Sequence, residues 1–496
     1  MADDIINKTL SDLGLTAQGG RDAQITGLSV DSRFVKPGHL FAALPGARVH
    51  GGEFIQYALR MQAAAVLTDP EGARIAAEEL AASDAALIVV EDPRMTLAYA
   101  AALWSGAHPE HMVAVTGTNG KTSVASFTRQ IWEHLGLPAA NLGTAGVEGA
   151  YTAPMTHTTP EPITLHKLLA DMAGAGITHA AMEASSHGLA QRRLDGVRLT
   201  AAGFTNFTQD HLDYHETFEE YFHAKSGLFR RLLGEDGTAV INMDDARGQD
   251  MLDIALARGQ HVIRVGSHDD CDLRLLGRRF DGTGQELRFD WLGEAYAARL
   301  DLIGGFQAEN VLLAAGLVIA CGAEPSDVFA SFKELETVRG RMQLAATRDN
   351  GAAVYVDYAH TPDALKTALK AIRPHVLGRL IVVFGAGGDR DTSKRKLMGE
   401  AAAANADVVF VTDDNPRTED PDLIRAMVME GCPNANNVGD RAEAILRGVD
   451  ALGPGDTLLI AGKGHETGQT VGQDVLPFDD VEQASVAVAA LDGKLA

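Results

Sequence analysis

The chain has 496 residues, of which 46% are hydrophobic and 22% charged, and its formal net charge is −24. This composition argues against a disordered chain, and the negative charge argues against general binding to nucleic acid or an anionic membrane. The 3 cysteines are far apart, and no leader peptide or long apolar run is visible. We therefore expect a cytoplasmic protein with no disulfide framework and no membrane span, in about three domains of roughly 150 residues each.

The first part of the chain predicts a small α/β domain. Residues 28–33 and the apolar run 40–44 predict two strands, with the turn Lys36-Pro37-Gly38 between them. Asp31-Ser32-Arg33 is either turn chemistry or a site for a polar ligand. A helix predicted over residues 95–105 leads into the next domain, so we expect the boundary near residue 100.

A phosphate-binding loop is predicted directly after this boundary. The apolar run Val113–Val115 predicts a buried strand, and Ser123–His134 has helical spacing. Thr116-Gly117-Thr118-Asn119-Gly120-Lys121-Thr122 lies between them, so backbone N–H groups at a helix N-terminus can surround phosphates. Lys121 can reach the terminal phosphates, and the hydroxyl of Thr122 can bind Mg²⁺.

One position departs from the usual form of this loop. Val115 stands where a glycine is expected, and the glycine is at position 117. An ordinary strand-to-helix turn is therefore an alternative, although Gly-Lys-Thr at the start of a helix favours ATP binding.

Polar residues follow two further predicted strands in the middle of the chain. His179–Met182 is followed by Glu183, and Ala201–Phe204 is followed by a polar stretch that includes His211. Ligands of open parallel sheets bind beyond the carboxyl ends of the strands, so Glu183 and His211 are candidate contacts of Mg²⁺ or its waters. Residues of these types at strand ends are often simply solvated, and spacing alone leaves both possibilities open.

A helix predicted over Phe218–Leu233 contains Lys225 among aromatic residues. Taken alone, this pattern indicates a surface lysine whose aliphatic stem covers apolar neighbours.

The last part of the chain predicts a doubly wound parallel sheet, because strands alternate with loops and helices. A Gly-x-Gly-Gly segment at residues 385–388 is a weak dinucleotide signal without a clear acidic ribose partner, so we do not predict an NAD site. The predicted strands are Ala352–Val356, Leu380–Phe384, Asp407–Thr412 and Thr457–Ala461.

Ten segments in this order resemble motifs of the Mur ligases, the ATP-dependent amide-forming enzymes of peptidoglycan precursor synthesis. The combination of Val115 and Gly117 is similar to this family's own form of the phosphate loop. The segments are Asp31–Arg33, Thr116–Thr122, Thr158–Pro160, Glu183–Gly188, Asn310, Arg341, Asp357–Pro362, Gly385–Arg390, Asp414–Arg417 and Gly462–Glu466.

The resemblance implies a three-domain α/β monomer. Residues 1–100 would bind the UDP part of the substrate, residues 101–342 would form a P-loop ATPase domain, and residues 343–496 would form a Rossmann-like, amino-acid-binding domain. The implied reaction adds meso-2,6-diaminopimelate to the D-Glu γ-carboxylate of UDP-N-acetylmuramoyl-L-Ala-D-Glu through an acyl phosphate. ATP is the implied co-substrate and Mg²⁺ the cofactor, and domain closure would exclude water from the intermediate.

The resemblance also assigns roles to individual residues. It replaces the surface interpretation of Lys225 with a carbamate that binds a second Mg²⁺. The implied catalytic residues are Lys121, Glu183, His211 and Lys225, and the implied metal ligands are Thr122, Glu183, His211 and carbamylated Lys225. The implied ATP contacts are Thr116, Gly117, Thr118, Asn119, Gly120, Lys121, Thr122, Asn310, Arg341, Asp357 and His360. The implied contacts of the UDP-muramoyl-dipeptide are Val30, Ser32, Ala47, Arg48, Val49, His157, Thr158, Thr159, Ser185, Gln191 and Arg193. The implied diaminopimelate contacts are Arg390, Asp414, Asn415, Pro416, Arg417, Gly462 and Glu466.

Charge supports diaminopimelate as the amino acid. Its far end carries an ammonium and a carboxylate, whereas lysine carries only the ammonium. Arg417 offers a planar fork for the carboxylate, and Asp414 with Asn415 can take the ammonium. Lysine would leave Arg417 without its partner and is expected to be a poor substrate.

Other functions stay open at this stage. Within the same chemistry, the alternatives are a lysine-adding ligase and a folylpolyglutamate synthase, and the segments 31–33 and 414–417 disfavour both. From other classes, the alternatives are a binding protein that uses ATP as a switch and a dinucleotide-dependent oxidoreductase.

Overall fold

A four-stranded parallel sheet forms the N-terminal part of the chain in a computed structural model that describes residues 7–46, 49–155, 157–208, 215 and 217–494. The two predicted strands are present and parallel, and the connection between them contains a 3₁₀ turn at Ser32–Phe34. The strands are β1 (Lys8–Thr9), β2 (Gln24–Ile25), β3 (Gly27–Ser29), β4 (His39–Ala43), β5 (Ala65–Thr68) and β6 (Ala86–Val89), of which β1 and β2 form a separate antiparallel pair. The helices are α1 (Ile55–Arg60), α2 (Pro70–Ile75), α3 (Ala77–Ala81) and α4 (Pro93–Ser105).

The next sheet has ten strands, and its centre carries the phosphate loop. The central strand starts at His111 and ends at Thr116, where the loop begins. Its parallel neighbours place Glu183 opposite Val115 and Phe204 opposite Thr116, so three strand ends meet at one edge of the sheet. The first strands are β7 (His111–Thr116), β8 (Ala139–Gly143), β9 (Gly146–Gly149), β10 (His179–Glu183) and β11 (Leu199–Phe204). The first helices are α5 (Lys121–His134), α6 (Pro162–Gly174) and α7 (Ser186–Ala190).

The second half of this sheet differs from the sequence prediction in two respects. The helix predicted over Phe218–Leu233 ends at Gly227 and continues as one π-helical turn, because Leu233 already pairs with Leu199 in a strand. Five strands that the sequence did not predict then extend the sheet: the first two are parallel to their neighbours, and the last three pair with one another antiparallel. The remaining strands are β12 (Leu233–Asn242), β13 (His261–Gly266), β14 (Leu273–Asp281), β15 (Gly284–Trp291) and β16 (Glu294–Leu300). The remaining helices are α8 (Phe218–Gly227), α9 (Gly248–Ala257), α10 (Phe306–Ala320) and α11 (Pro325–Ala330).

The C-terminal sheet has six strands in the order β17-β18-β22-β19-β20-β21, and five of them are parallel. All four predicted strands are present, and a hairpin that the sequence did not predict follows them. The strands are β17 (Gln343–Thr347), β18 (Ala353–Asp357), β19 (Leu380–Phe384), β20 (Val408–Val411), β21 (Asn436–Asn437), β22 (Thr457–Ala461), β23 (Gly468–Val471) and β24 (Asp474–Pro477). The helices are α12 (Pro362–Ile372), α13 (Lys394–Asn405), α14 (Pro421–Met429), α15 (Arg441–Asp450) and α16 (Asp480–Leu491).

The core explains why the phosphate loop is held firmly. Helix α5, which begins at Lys121, packs on α10 and buries Phe127, Ile131 and Trp132 completely. Burial of such side chains stabilises the fold by about 2–3 kcal/mol each. In the part of the chain that the structure describes, no helix is both long and apolar enough to cross a bilayer.

Candidate functional site

The loop between β7 and α5 has the geometry of a phosphate cradle. Gly117 and Gly120 have φ values of +145° and +85°, which are strained for residues with a side chain. A Cβ on Gly117 would lie 1.9 Å from the Thr205 hydroxyl. The end of β11 braces the loop, since the Thr205 hydroxyl donates to the Asn119 carbonyl at 2.6 Å and Asn206 accepts from the Asn119 N–H at 2.9 Å.

Lys121 folds back over this loop. Its Nζ donates to the carbonyl oxygens of Gly117 at 2.9 Å and Thr118 at 2.8 Å. A bound phosphate can replace such carbonyl partners, because the ammonium is on a flexible stem. The Thr122 hydroxyl accepts from the Arg341 guanidinium at 3.4 Å, so the segment just before β17 reaches the start of α5.

Glu183 is a buried carboxylate beside this loop. It ends β10, and its side chain accepts from the Thr144 N–H at 2.8 Å and lies 3.5 Å from the Thr144 hydroxyl. Thr122 and Glu183 line the same cavity, which has a volume of about 810 Å³. Their oxygen atoms are hard donors of the kind that Mg²⁺ prefers.

Lys225 is almost completely buried, with 1% of its surface exposed. Its Nζ donates to the Gly117 carbonyl at 2.7 Å and lies 4.5 Å from the centre of the Tyr221 ring. This position rules out a solvated surface lysine. His211, the fourth predicted metal ligand, lies outside the described residues.

The residues predicted for the muramoyl-peptide form one polar network on the other side of Glu183. The Thr159 hydroxyl contacts the Glu183 carbonyl and the Ser185 hydroxyl, both at 3.1 Å. Arg193 donates to the Thr159 carbonyl at 2.7 Å and to the Gln191 side chain at 2.8 Å. The members of the predicted set that line the cavity are His157, Thr158, Thr159, Ser185 and Arg193.

The residues predicted for the UDP part belong to the N-terminal domain. The Asp31 carboxylate accepts from the Arg33 N–H at 2.9 Å and pairs with its guanidinium, which is turn chemistry. Val30 and Val49 are exposed, with 38% and 51% of their surface accessible. Among the described residues, the lining of the cavity does not include Val30, Ser32 or Val49. Ala47 and Arg48 lie outside the described residues.

The C-terminal side of the cavity is formed by residues that follow β18. The Asp357 carboxylate accepts from the Met342 N–H at 2.7 Å and the Ala359 N–H at 2.9 Å, and burial raises the pKa of Asp357. The Arg341 guanidinium lies over the Tyr358 ring, 4.6 Å from its centre. The structure therefore brings Arg341, Asp357 and His360 to the cavity that the phosphate loop lines, together with Asn310.

The residues predicted for the amino acid lie at the ends of β19, β20 and β22. Arg390 lines the cavity. Asp414 and Asn415 are buried, and the Asn415 amide donates to the Glu466 carboxylate at 2.9 Å. The Arg417 guanidinium donates to the Gly388 carbonyl at 2.7 Å. Pro416 and Gly462 complete the set, and a Cβ on Gly462 would lie 2.6 Å from the Asp414 carboxylate.

Two backbone segments cross each other at the junction of the central and C-terminal sheets. A Cβ on Gly340 would lie 2.2 Å from the His465 nitrogen, and one on Gly464 would lie 2.8 Å from the Gly340 carbonyl oxygen. The loop after β22 is thus packed directly against the segment that carries Arg341. The His465 ring lies 5.0 Å from the Tyr358 ring, and burial together with Arg341 lowers the pKa of His465 to about 4.

Sequence reasoning missed three residues of this region. Thr144 holds Glu183, Tyr358 stacks on Arg341, and Lys463 contacts Asn415 and Glu466. Tyr358 and Lys463 lie inside segments that the sequence had pointed to, so their proximity to predicted residues was the available signal. For Thr144 the sequence offered none.

Comparison with known proteins identifies the family. Three models match: "Mur ligase family, catalytic domain" over residues 24–105, "Mur ligase middle domain" over 115–318, and "Mur ligase, glutamate ligase domain" over 340–464. A relative from Bradyrhizobium diazoefficiens is 49% identical over 473 residues, covering 94% of this chain and 95% of the relative. The chain belongs to the Mur ligase family.

Other relatives agree with this assignment. A Mur ligase from Caulobacter vibrioides is 47% identical over 98% of this chain and 100% of its own length. Both relatives are named UDP-N-acetylmuramoyl-L-alanyl-D-glutamate–2,6-diaminopimelate ligase. A solved structure of a ligase of that name has 33% identity and a TM-score of 0.72, covering 98% of this chain and 99% of its own. MurF from Acinetobacter baumannii, at 17% identity and a TM-score of 0.63 over 92% of this chain and 96% of its own, shows the shared fold.

These findings confirm the predicted family, the predicted three-domain α/β fold and the ligase class. The roles given to individual residues stay predictions, as do the domain boundaries. Among the described residues, no group of three or more His, Cys, Asp or Glu side chains is placed to hold a metal ion. A Mur ligase site of this composition can still fit Mg²⁺, which binds proteins through one or two carboxylates and completes its shell with water and phosphate oxygens.

Proposed function

We propose that this Mur ligase joins meso-2,6-diaminopimelate to the D-Glu γ-carboxylate of UDP-N-acetylmuramoyl-L-Ala-D-Glu, with hydrolysis of ATP to ADP and phosphate. One observation carries the proposal: a single cavity of about 810 Å³ is lined by the phosphate loop, by five of the residues predicted for the muramoyl-peptide and by Arg390. The names of relatives that are 47–49% identical over nearly the whole chain support the same reaction.

The reaction must activate a carboxylate, which is a poor acylating agent. A γ-carboxylate oxygen attacks the γ-phosphorus of ATP, the bond from that phosphorus to the ADP oxygen breaks, and an acyl phosphate forms. The amine of diaminopimelate then attacks the acyl carbon, loses a proton and displaces phosphate. Both steps depend on positioning and on neutralisation of charge.

The phosphate loop supplies the positive potential for the first step. In the proposal, Lys121 exchanges the carbonyls of Gly117 and Thr118 for phosphate oxygens. Backbone N–H groups at the start of α5 point in the same direction, and the helix dipole adds to their effect. Asn310 and His360, which line the same cavity, are proposed to position the nucleotide.

Mg²⁺ would be held by the Thr122 hydroxyl and the Glu183 carboxylate, with His211 as a further predicted ligand. The ion neutralises phosphate charge when it is bound. Lys225 is proposed to react with CO₂: the neutral amine adds to carbon, loses a proton and becomes a carbamate. This exchanges a buried cation for an anion close to the phosphate loop, where Lys225 now contacts the Gly117 carbonyl.

Diaminopimelate specificity is assigned to the C-terminal domain. Arg417 would pair with the distal carboxylate, and Asp414 and Glu466 with the ammonium. The Asn415 amide oxygen already accepts from the Thr470 N–H at 2.8 Å and from Lys463 at 3.3 Å. Asn415 therefore offers a ligand its N–H group, which cannot accept from an ammonium. The proposal accordingly gives the ammonium to Asp414 and Glu466, whereas the sequence led us to expect Asp414 with Asn415.

Phosphate release tests the proposal directly. We expect rapid release only when ATP, the UDP-muramoyl-dipeptide and diaminopimelate are all present, and mass spectrometry should show the new amide. Omission of either the UDP-muramoyl-dipeptide or diaminopimelate should abolish turnover. Release of phosphate at the same rate without both substrates would instead indicate a binding protein that uses ATP as a switch.

A further inference from the structure

Lys463 is completely buried, with no exposed side-chain surface. It follows Gly462 directly at the end of β22. A buried ammonium is costly unless charged or polar acceptors surround it. Lysines are therefore rarely found in such positions without a specific set of partners.

The partners of Lys463 lie in its own loop, in the segment after β20 and at the start of β23. Its Nζ donates to the Glu466 carboxylate at 3.1 Å, to the Asn415 amide oxygen at 3.3 Å and to the Gly468 carbonyl. An ammonium has three N–H donors, so these contacts use all of them. Lys463 has no donor left for a ligand, and its role must be exerted through its neighbours.

These contacts fix the direction of the Asn415 side chain. Its oxygen faces Lys463 and the Thr470 N–H, so its NH₂ group must point the other way, toward Glu466. Among the described residues, Asn415 and Lys463 both donate to Oε2 of the Glu466 carboxylate. A ligand ammonium would therefore meet Oε1.

The hairpin β23–β24 is bound to the same motif. Gln469 donates to the Asp414 carbonyl at 2.7 Å, and the Arg417 N–H donates to the Thr470 carbonyl at 3.1 Å. Since Lys463 donates to Gly468 at the start of β23, its ammonium joins the hairpin to Asn415 and Glu466. The segment Asp414–Arg417 is thus fixed by the hairpin and by the buried ammonium of Lys463.

We propose that Lys463 is a positioning residue that holds Asn415 and Glu466 in the geometry in which they meet the amino-acid substrate. This inference rests on the proposed function, because it assumes that these residues bind diaminopimelate. Lys463 does not contact the substrate in this proposal. It aligns two side chains that do, and it balances the charge of Glu466.

Steady-state kinetics of Lys463→Met test the proposal, since methionine has a similar length and no charge. We expect KM for diaminopimelate to rise about tenfold or more, while KM for ATP and for the UDP-substrate change less than about twofold. The matched control is Lys396→Met, an exposed lysine on α13 of the same domain, which should leave all three KM values unchanged.

A double-mutant cycle with Glu466→Gln shows whether Lys463 acts through Glu466. If it does, Lys463→Met should have a smaller effect on KM in the Glu466→Gln background than in the wild type. Removing both charges also avoids leaving the half-buried Glu466 carboxylate without its cation. If Lys463→Met does not fold, as judged by circular dichroism, the double variant is compared with Glu466→Gln alone. A higher KM for diaminopimelate in the double variant would then support the positioning of Asn415 by Lys463, and an equal KM would overturn it.

Two results would overturn it: a folded Lys463→Met with the wild-type KM for diaminopimelate, or strictly additive effects in the cycle. Failure of the proposed function looks different, because the wild-type enzyme itself would then form no amide with diaminopimelate. The wild-type assay therefore precedes the comparison of variants.

Discussion

Two lysines in this protein follow a glycine at the carboxyl end of a buried parallel strand, and they are used in opposite ways. Lys121 follows β7 and Lys463 follows β22. Lys121 is half-buried and contacts two carbonyls of its own loop. Lys463 is fully buried and contacts the side chains of Glu466, in its own loop, and Asn415, after β20. The same local sequence feature thus yields one cation that a ligand can recruit and one that the protein retains.

The comparison shows that the partners of a lysine, rather than the motif around it, decide its availability. Backbone carbonyls of a glycine-rich loop are solvated again at little cost when Lys121 turns to a phosphate. Glu466 would be left as an uncompensated carboxylate if Lys463 turned away. We therefore expect substitutions around the two lysines to change the kinetic constants for different substrates.

The largest effect is expected for Lys121→Ala. Loss of the proposed phosphate contact should lower kcat for amide formation about 1000-fold while the fold is retained. Phosphate-release kinetics and circular dichroism measure both properties. Lys167→Ala, at a lysine on α6 that is 72% exposed, serves as the control. Unchanged amide formation in Lys121→Ala would contradict the proposal that Lys121, unlike Lys463, binds a ligand.

The glycines before the two lysines offer a matched pair of variants. A Cβ on Gly120 would lie 2.6 Å from the Asn310 side-chain oxygen, and one on Gly462 would lie 2.6 Å from the Asp414 carboxylate. Both residues also have positive φ. We expect Gly120→Ala to raise mainly KM for ATP and Gly462→Ala mainly KM for diaminopimelate, each about 10- to 100-fold.

Gly259→Ala is the control for this pair. Gly259 has φ of +73°, but a Cβ there would meet no atom within 4 Å. It therefore carries the backbone strain without the close approach, and it should lower thermal stability while leaving both KM values unchanged. If Gly120→Ala and Gly462→Ala changed KM for ATP and KM for diaminopimelate equally, the two loops would not serve separate substrates.

Substitution of Arg417 tests recognition of diaminopimelate separately from ATP binding. Arg417→Ala should reduce the preference for diaminopimelate over lysine, measured as the ratio of kcat/KM values, by about tenfold. KM for ATP should not change. Arg417→Lys is the informative control, because it keeps the charge but loses the planar fork, and it should recover only part of the preference. An unaltered ratio in Arg417→Ala would assign the distal carboxylate to another residue.

The smallest effect is a pH dependence of stability that comes from the loop after β22 and not from the phosphate loop. The loop after β22 contains His465, whose pKa burial and Arg341 lower from 6.5 to about 4, whereas residues 116–122 contain no histidine. The unfolded chain takes up a proton below pH 6.5 that the folded protein excludes, so stability is lost as pH falls toward 4. We expect the loss from His465 to be about 1 kcal/mol between about pH 7.5 and 5.5.

Denaturant unfolding at these two pH values measures that loss. His465→Gln should reduce the difference, whereas His261→Gln, at an exposed histidine on β13, should leave it as in the wild type. A pH dependence that is identical in His465→Gln and the wild type would show that His465 does not contribute.

The sequence was most informative where function depends on contiguous residues. The phosphate loop could be placed because strand, glycines, Lys121 and helix follow each other within a few residues, and the structure starts α5 at Lys121 itself. Glu183 could be placed for a related reason, since the carboxyl ends of neighbouring parallel strands share an edge. The four strands of the C-terminal sheet were found because each is a short apolar run with polar residues after it.

Features that depend on distant partners could not be predicted in this way. The burial of Lys225 follows from how α8 packs on the phosphate loop, and its sequence context alone suggested a surface residue. Strands β14–β16 were missed because they are exposed on one face and rich in charged residues. Thr144 belongs to the site only because the chain after β8 passes beside the end of β10.

The crossing of Gly340 and Gly464 has a mechanical consequence. Because neither position leaves space for even a methyl group, the two segments cannot slide past each other without separating. We therefore expect a movement of the loop after β22 to displace Arg341 as well and to alter its contact with the Thr122 hydroxyl. In the proposed function, a ligand bound beside the loop after β22 would thereby change the surroundings of Thr122 at the phosphate loop.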